Sequence, residues 1–246
     1  MSTNLVSIVM PVYNEVNTIE KLLNDVLNFQ HKLFEFEIII IESSSSDGTH
    51  EFIKLLDTDF LHAKYKKNIK IIFQNSAKGK GFAVRQGFEH CNGNIIFIQD
   101  ADLEYDINSY SPILDCFLND KNCDLVIGKR SKVRKFGRFG VRSFYMNLGA
   151  IFFHTFFRIL YGSNISDPTT MFKVFKKNLI QDLNFESNRF DFDWELICKF
   201  SRLDVNYHEI EVDYKSRGFD AGKKVGLFLD PIVWLYKIIK YRFVKI

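Results

Sequence analysis

Along the first half of the chain, short runs of β-branched and aromatic residues alternate with segments whose apolar positions recur three and four apart. Residues 6–11, 36–41, 69–73 and 95–98 read as buried strands, and 125–127 as a fifth. After the first strand, Ile19, Leu22, Leu23, Val26 and Leu27 form one apolar helical face, with Asn17 or Thr18 placed to cap it. A second helix runs to Leu56, and a third, opened by Lys78-Gly-Lys-Gly81, carries Ala83, Val84 and Phe88. Strands alternating with helices predict a doubly wound, Rossmann-like, mostly parallel sheet with helices on both faces. Ligands of such sheets bind beyond the carboxyl ends of the strands, near the switch in strand order. Those ends carry Tyr13 and Glu15, the stretch 42–47, the stretch 78–81, and the acids of 100–106, so the polar motifs converge on one edge.

The second half changes character. Residues 129–142 hold Lys129, Arg130, Lys132, Arg134, Lys135, Arg138 and Arg142 without an acid, which reads as a solvated basic loop or an anion-binding flap. An aromatic helix is expected over 144–161, another opening in Asn188-Arg-Phe-Asp-Phe-Asp-Trp-Glu195, and a near-alternating strand over 205–214. The segment 227–243 places Phe228, Ile232, Leu235 and Ile239 at helical spacing, with Lys237, Lys240, Arg242 and Lys245 around its end. That helix either covers the core or lies on a membrane surface. The expected organisation is one domain over 1–225, in two halves (1–128 and 129–225), then a C-terminal amphipathic helix (226–246). There is no internal repeat.

Composition narrows this picture only modestly. The chain has 246 residues and a formal net charge of +3, so bulk electrostatics do not call for nucleic acid. Cys91, Cys116, Cys123 and Cys198 lack metal-ligand spacing and read as reduced thiols. No secretory leader pattern and no bilayer-length apolar run is seen. The expected location is therefore cytoplasmic, or at the cytoplasmic face of a membrane.

The chemistry concentrates where the strand 95–98 ends. Asp100, Asp102, Glu104 and Asp106 fall within seven positions, and in an extended segment Asp100 and Asp102 face the same way. Hard oxygen ligands at a strand tip suit Mg²⁺ or Mn²⁺ bridging to substrate phosphates. The alternative is a polar loop in which Asp106 or Asn108 caps the next helix. Neither a dinucleotide-binding Gly-x-Gly-x-x-Gly nor a P-loop is present. The serine run 43–46, between a strand and Asp47, reads as a ligand-facing turn.

Taken together, Pro11-Val-Tyr-Asn-Glu15, Ser46-Asp-Gly-Thr49, Gly79-Lys-Gly81 and Asp100-Ala-Asp102 resemble family 2 glycosyltransferases of the GT-A fold. Asp167-Pro-Thr169, the Phe192-Asp-Trp-Glu-Leu196 helix start and Arg217 before Gly222-Lys-Lys224 look like the dolichyl-phosphate mannosyltransferase-type branch. Glu42-Ser43 stands where the branch has an acidic pair, and Thr170-Met-Phe-Lys173 where it has Ser-Gly-Phe-Arg. The resemblance implies an inverting, divalent-metal-dependent transferase using a GDP- or UDP-sugar, with acceptor-side helices at the C-terminal end. Pro11, Tyr13, Glu15, Glu42 and Ser43 would line the nucleotide. Asp100, Ala101 and Asp102 would meet diphosphate and metal, with Glu104 as a third metal ligand. Arg130, Arg217 and Lys223 or Lys224 would meet phosphates. A lipid-phosphate acceptor needs no base. A glycan or other hydroxyl acceptor needs one, and Asp193 is placed for it. From another class, a non-catalytic sugar-nucleotide-binding protein would show the same fold. The kept Asp100/Asp102 pair argues against it.

Overall fold

The computed structural model describes residues 4–56, 68–130, 140–215 and 229–245, with the backbone alone for 68 and 140–147. Arg217, Lys223, Lys224, Phe228 and most of the basic stretch after Arg130 lie outside the described residues. Seven strands form one sheet: β1 (Leu5–Val12), β2 (Glu35–Glu42), β3 (Asn68–Phe73), β4 (Ile95–Ile98), β5 (Leu125–Arg130), β6 (Lys173–Lys176) and β7 (Tyr207–Val212). Their spatial order is β3-β2-β1-β4-β6-β5-β7. Pairing is parallel between β1 and β2, β2 and β3, β1 and β4, and β5 and β7. The chain thus moves outward from β1 through β2 to β3, then returns to place β4 on the other side of β1. That reversal is the switch point where such sheets bind ligands.

The hydrophobic runs explain the strands. In β1, Val6, Ile8, Val9, Met10 and Val12 are all buried, and in β4 all four residues are, as expected for strands covered on both faces. The helix α1 (Ile19–Asn28) buries the five apolar positions its spacing marks. The other helices are α2 (Thr49–Leu56), α3 (Lys80–Phe88), α4 (Tyr110–Asn119), α5 (Gly140–Tyr161), α6 (Phe192–Phe200) and α7 (Leu229–Phe243).

One strand was not legible in the chain. β6 enters antiparallel between β4 and β5, pairing Ile96 with Phe175 and Val126 with Val174. Four residues bounded by lysines carry almost no periodic signal. Val174 and Phe175 are buried because the sheet closes around them, and the Lys173 side chain is buried with them.

α3 packs on β1 and β2. A Cβ built at Gly87 would stand 2.4 Å from Val9 Cγ1 and 2.8 Å from Ile41 Cδ1. Gly87→Ala is therefore expected to destabilise the fold by about 1–3 kcal/mol through overpacking. Urea unfolding checks this, and a variant as stable as the wild type would show that the helix lifts freely.

Candidate active site at the carboxyl edge of the sheet

Two interlocked turns close the ends of β1 and β2. Asn14 and Ser44 both have positive φ, 50° and 57°, a region asparagine tolerates better than most residues. The Asn14 amide donates to Ser45 Oγ (2.9 Å), and Asn14 Oδ1 accepts from the Ser46 amide (2.9 Å). Asp47 ties the same turns together, accepting from the Thr49 and Val16 amides at 3.0 and 3.1 Å. Glu42 is fully buried; its carboxylate accepts from the Ser45 and Ser44 amides at 2.7 and 3.1 Å and meets His50 Nδ1 at 2.6 Å. Burial alone raises its pKa, but these donors outweigh it and hold the carboxyl below its ordinary range. Tyr13 is 39% exposed beside this turn, while Glu15 and Ser43 are buried. Pro11 sits in the β1–β2 register opposite Ile41.

The acidic loop after β4 stands next to this turn. Thr18 Oγ1 donates to the Ala101 carbonyl at 2.7 Å, joining the start of α1 to the Asp100-Ala-Asp102 loop. Leu103 takes a positive φ of 56°, and Asp102 Oδ1 accepts from the Glu104 amide at 3.2 Å. Glu104 Oε2 accepts from the Tyr214 hydroxyl at 2.7 Å, next to an isolated bridge between Tyr105 and Tyr214. Asp106 serves structure, accepting from the Asn108 amide at the short 3₁₀ turn that leads into α4. Among the described residues, no three His, Cys, Asp or Glu side chains gather as a ready metal cage. Two hard carboxylates still fit a divalent cation whose remaining ligands come from substrate oxygens and water.

Lys80 was not singled out from the sequence, though it sits in the Lys78-Gly-Lys-Gly81 motif. Its Nζ lies 2.9 Å from Asp100 Oδ2 and 3.8 Å from Asp193 Oδ2. Burial disfavours its charge, but Asp100 and Asp193 overcome that and raise its pKa. The motif glycines explain how Asp193 arrives there. Gly79 has φ 101°, and a Cβ on it would stand 2.4 Å from the Asn188 carbonyl oxygen. The loop before α6 therefore lies directly on α3. There the Phe82 amide donates to the Asn188 carbonyl (3.1 Å), and Arg85 Nη1 to the Phe185 carbonyl (2.7 Å). This docking brings the first turn of α6, with Asp193, against the acidic loop.

The three acids at the start of α6 have different surroundings. Asp191 accepts from the Arg189 amide at 3.1 Å and pairs with Lys237 at 3.5 Å. Glu195, fully buried, accepts from the Ser187 amide and Lys199, both at 2.7 Å. Asp193 faces the site instead. Burial raises its pKa, opposed by Lys80 and by the buried Lys173, whose own pKa falls to about 8 on desolvation.

Arg130, at the end of β5, makes a two-pronged contact with Asp167: Nε to Oδ2 at 2.7 Å and Nη2 to Oδ1 at 2.6 Å. Nη2 also donates to Thr169 Oγ1 (2.9 Å), which His154 Nε2 meets at 3.0 Å from α5, and the guanidinium lies over the Tyr214 ring at 5.2 Å. Burial would raise the Asp167 carboxyl, but Arg130 brings it down to about 2. Asp167 and Thr169 lay within a motif quoted from the sequence; His154 carried no signal there, since a lone histidine in an aromatic helix reads as interior.

With this geometry in place, residues 7–183 match the family model described as glycosyl transferase family 2, well over half of the chain. The chain belongs to glycosyltransferase family 2. It is 26% identical over 247 residues to a dolichyl-phosphate beta-glucosyltransferase of Dictyostelium discoideum, covering 96% of this chain and 73% of that protein. It is likewise 26% identical to a dolichol-phosphate mannosyltransferase of Pyrococcus furiosus, covering 96% of this chain and 64% of that protein. A solved glucosyl-3-phosphoglycerate synthase of Mycobacterium tuberculosis, in complex with Mn²⁺, UDP-glucose and phosphoglyceric acid, superposes with a TM-score of 0.69 at 18% identity, over 99% of this chain and 81% of that one. The protein is thus a glycosyltransferase of the GT-A fold.

Proposed function

We propose that this glycosyltransferase moves a sugar, with inversion, from a nucleotide-diphosphate sugar to a polyprenyl phosphate at a membrane surface. The observation that carries the lipid acceptor is the pair of exposed apolar faces on α5 and α7. α5 turns His154 inward toward Thr169 and Arg130 while leaving Leu148, Ile151, Phe152 and Ile159 at 52, 40, 54 and 79% exposure. α7 packs on α5 through Phe153 and Trp234, 5.7 Å between ring centres, and a Tyr161 hydroxyl bond to the Ile238 carbonyl. Leu229, Ile232, Val233, Tyr236, Ile239 and Phe243 remain exposed on α7, at helical spacing. The stripe thus differs from the one expected: Ile238 and Tyr241 bury, Leu235 does so in part, and Ile232 and Ile239 face out. Two packed helices with exposed apolar stripes suit an interfacial position at a bilayer. The exposed Arg242 and Lys245 on and beyond α7 suit an anionic one, while Lys240 pairs with Glu186. No helix among the described residues is long and apolar enough to cross a membrane. The relatives named for dolichyl phosphate support the same acceptor.

In this reading, Pro11, Tyr13, Glu15, Glu42 and Ser43 line the nucleotide at the switch point. Asp100 and Asp102 would hold a divalent cation, Mg²⁺ or Mn²⁺, which when bound neutralises charge on the leaving diphosphate, with Glu104 beside them. Arg130, oriented by Asp167, meets phosphate, as do Arg217 and one of Lys223 and Lys224. An acceptor phosphate oxygen attacks the anomeric carbon, and the bond from that carbon to the diphosphate oxygen breaks on the opposite face. The nucleoside diphosphate leaves with the electron pair. The acceptor is already anionic, so no proton need be removed. One observation favours a hydroxyl acceptor instead: the raised pKa of Asp193, which suits a general base.

The test is transfer of label from UDP-glucose or GDP-mannose, with Mn²⁺, into vesicles with and without polyprenyl phosphate. Organic-extractable label is expected only in vesicles containing the lipid phosphate. Transfer to soluble glycans that Asp193→Asn abolishes would favour the hydroxyl reading.

A further inference from the structure

Lys80 stands where a cation belongs. Its ammonium touches Asp100 at 2.9 Å, lies 3.8 Å from Asp193 and rests against the Met171 sulfur. The three charged side chains are only 12, 18 and 13% exposed, so water screens them poorly. We propose that Lys80 is the resident counter-cation of the acidic loop, displaced from Asp100 when a diphosphate and a divalent cation arrive together. This rests on the reading that Asp100 and Asp102 hold that cation.

The reasoning is one of competition. A free divalent ion approaching Asp100 meets an ammonium already tethered there by its own backbone, so it must displace a partner of high effective concentration. In that exchange Asp100 trades the ammonium for the divalent ion, whereas Asp193 would keep Lys173 but lose Lys80 unless the ammonium stayed within reach. A donor diphosphate changes the balance in two ways. It supplies oxygen ligands to the incoming ion, and it offers the ammonium new anionic partners close to the place it leaves. Lysine suits this exchange, because its charge is a point at the end of a flexible stem rather than a rigid planar fork. Metal and diphosphate should therefore bind with strong positive coupling, and Lys80 should carry part of it.

Mn²⁺ binding to the full chain is read from the electron paramagnetic signal of the free hexaaquo ion, with and without inorganic pyrophosphate, against a protein-free control that accounts for chelation. The wild type is expected to bind Mn²⁺ weakly alone and more tightly with pyrophosphate. Lys80→Gln should bind Mn²⁺ alone on the order of tenfold more tightly, because the competing charge is gone. It should also gain less from pyrophosphate. Lys80→Met, apolar beside Met171, is the second uncharged variant, and Lys80→Arg, which keeps the competing charge, should bind Mn²⁺ alone as weakly as the wild type. Melting curves confirm that each variant folds. Unchanged or weaker Mn²⁺ binding by both uncharged variants, with normal pyrophosphate-dependent uptake in the wild type, would overturn the role of Lys80 and leave the metal assignment standing. If the wild type takes up no Mn²⁺ even with pyrophosphate, the metal assignment fails and this inference falls with it.

Discussion

Replacing Asp102 with alanine is expected to abolish sugar transfer, by about 10³-fold or more, while the melting temperature stays near that of the wild type. The two effects separate because of where the residue stands. Asp102 lies half-buried on the loop after β4, in no helix or strand. Its carboxylate adds to the charge of Asp100 and Asp193 around Lys80. Losing it relieves repulsion among the acids but gives up the Glu104 amide bond and some attraction to Lys80, so stability should change little. In the working enzyme, the same loss would remove a ligand of the ion that neutralises the leaving diphosphate. Rate measurements with Mn²⁺ and either nucleotide sugar, alongside thermal melting, check both halves. Turnover by the variant at the wild-type rate would sink the metal role of the loop, whatever the fold does.

How much of this was legible in the chain depended on the kind of signal. β1, β2 and β4 were readable because strands covered on both faces are continuous apolar runs, β3 because its apolar residues dominate even at the sheet edge where Lys70 is exposed, and α1 because its five buried positions keep helical spacing. The acidic loop was readable because four acids at a strand tip are locally conspicuous. β6 was not, since its burial comes from strands far away in sequence rather than from its own four residues. Lys80 was hidden for a related reason. Its partner Asp193 is over a hundred positions away, and the contact exists only because Gly79 lets the loop before α6 lie on α3. On α7 the stripe read from the sequence, Phe228, Ile232, Leu235 and Ile239, does not coincide with the buried face: Ile232 and Ile239 are exposed, Leu235 is half-buried, and Phe228 lies outside the described residues. Helical spacing marks two apolar stripes there, and only packing against α6 shows that Ile238 and Tyr241 turn inward. His154 and Asp167 belong to the same class: neighbours in space, with sequence patterns that say nothing about each other.

Asp167→Asn is expected to destabilise the fold and to lower transfer. Asp167 is 8% exposed at its side chain and accepts from Arg130 through both oxygens and from the Arg130 amide at 3.2 Å. Asparagine keeps the shape but loses the charge, leaving a guanidinium that is 26% exposed beside Tyr105 and Tyr214 without its counter-ion. Breaking a buried pair in this way costs about 3–5 kcal/mol, and the partial exposure of Arg130 argues for the lower end. For a chain of this size that is a melting-temperature loss of roughly 6–12 °C. The pH dependence gives an independent reading. Folding lowers the Asp167 carboxyl from its ordinary 3.8 to about 2, so its contribution is fully present above pH 4 and is lost as the pH falls toward 2. The wild type should therefore lose about 2–3 kcal/mol of stability across that window from this residue alone, and Asp167→Asn should lack that part of the acid limb. Transfer should fall as well, because Arg130 keeps Thr169, the Tyr214 ring and a single amide oxygen but loses the two-pronged carboxylate that orients it toward phosphate. Urea unfolding from pH 2 to 7 and transfer assays at neutral pH measure the two effects. A variant that matches the wild type in both would show that Arg130 needs no partner to stay in place, and the reading of Asp167 as the residue that positions it would have to be given up.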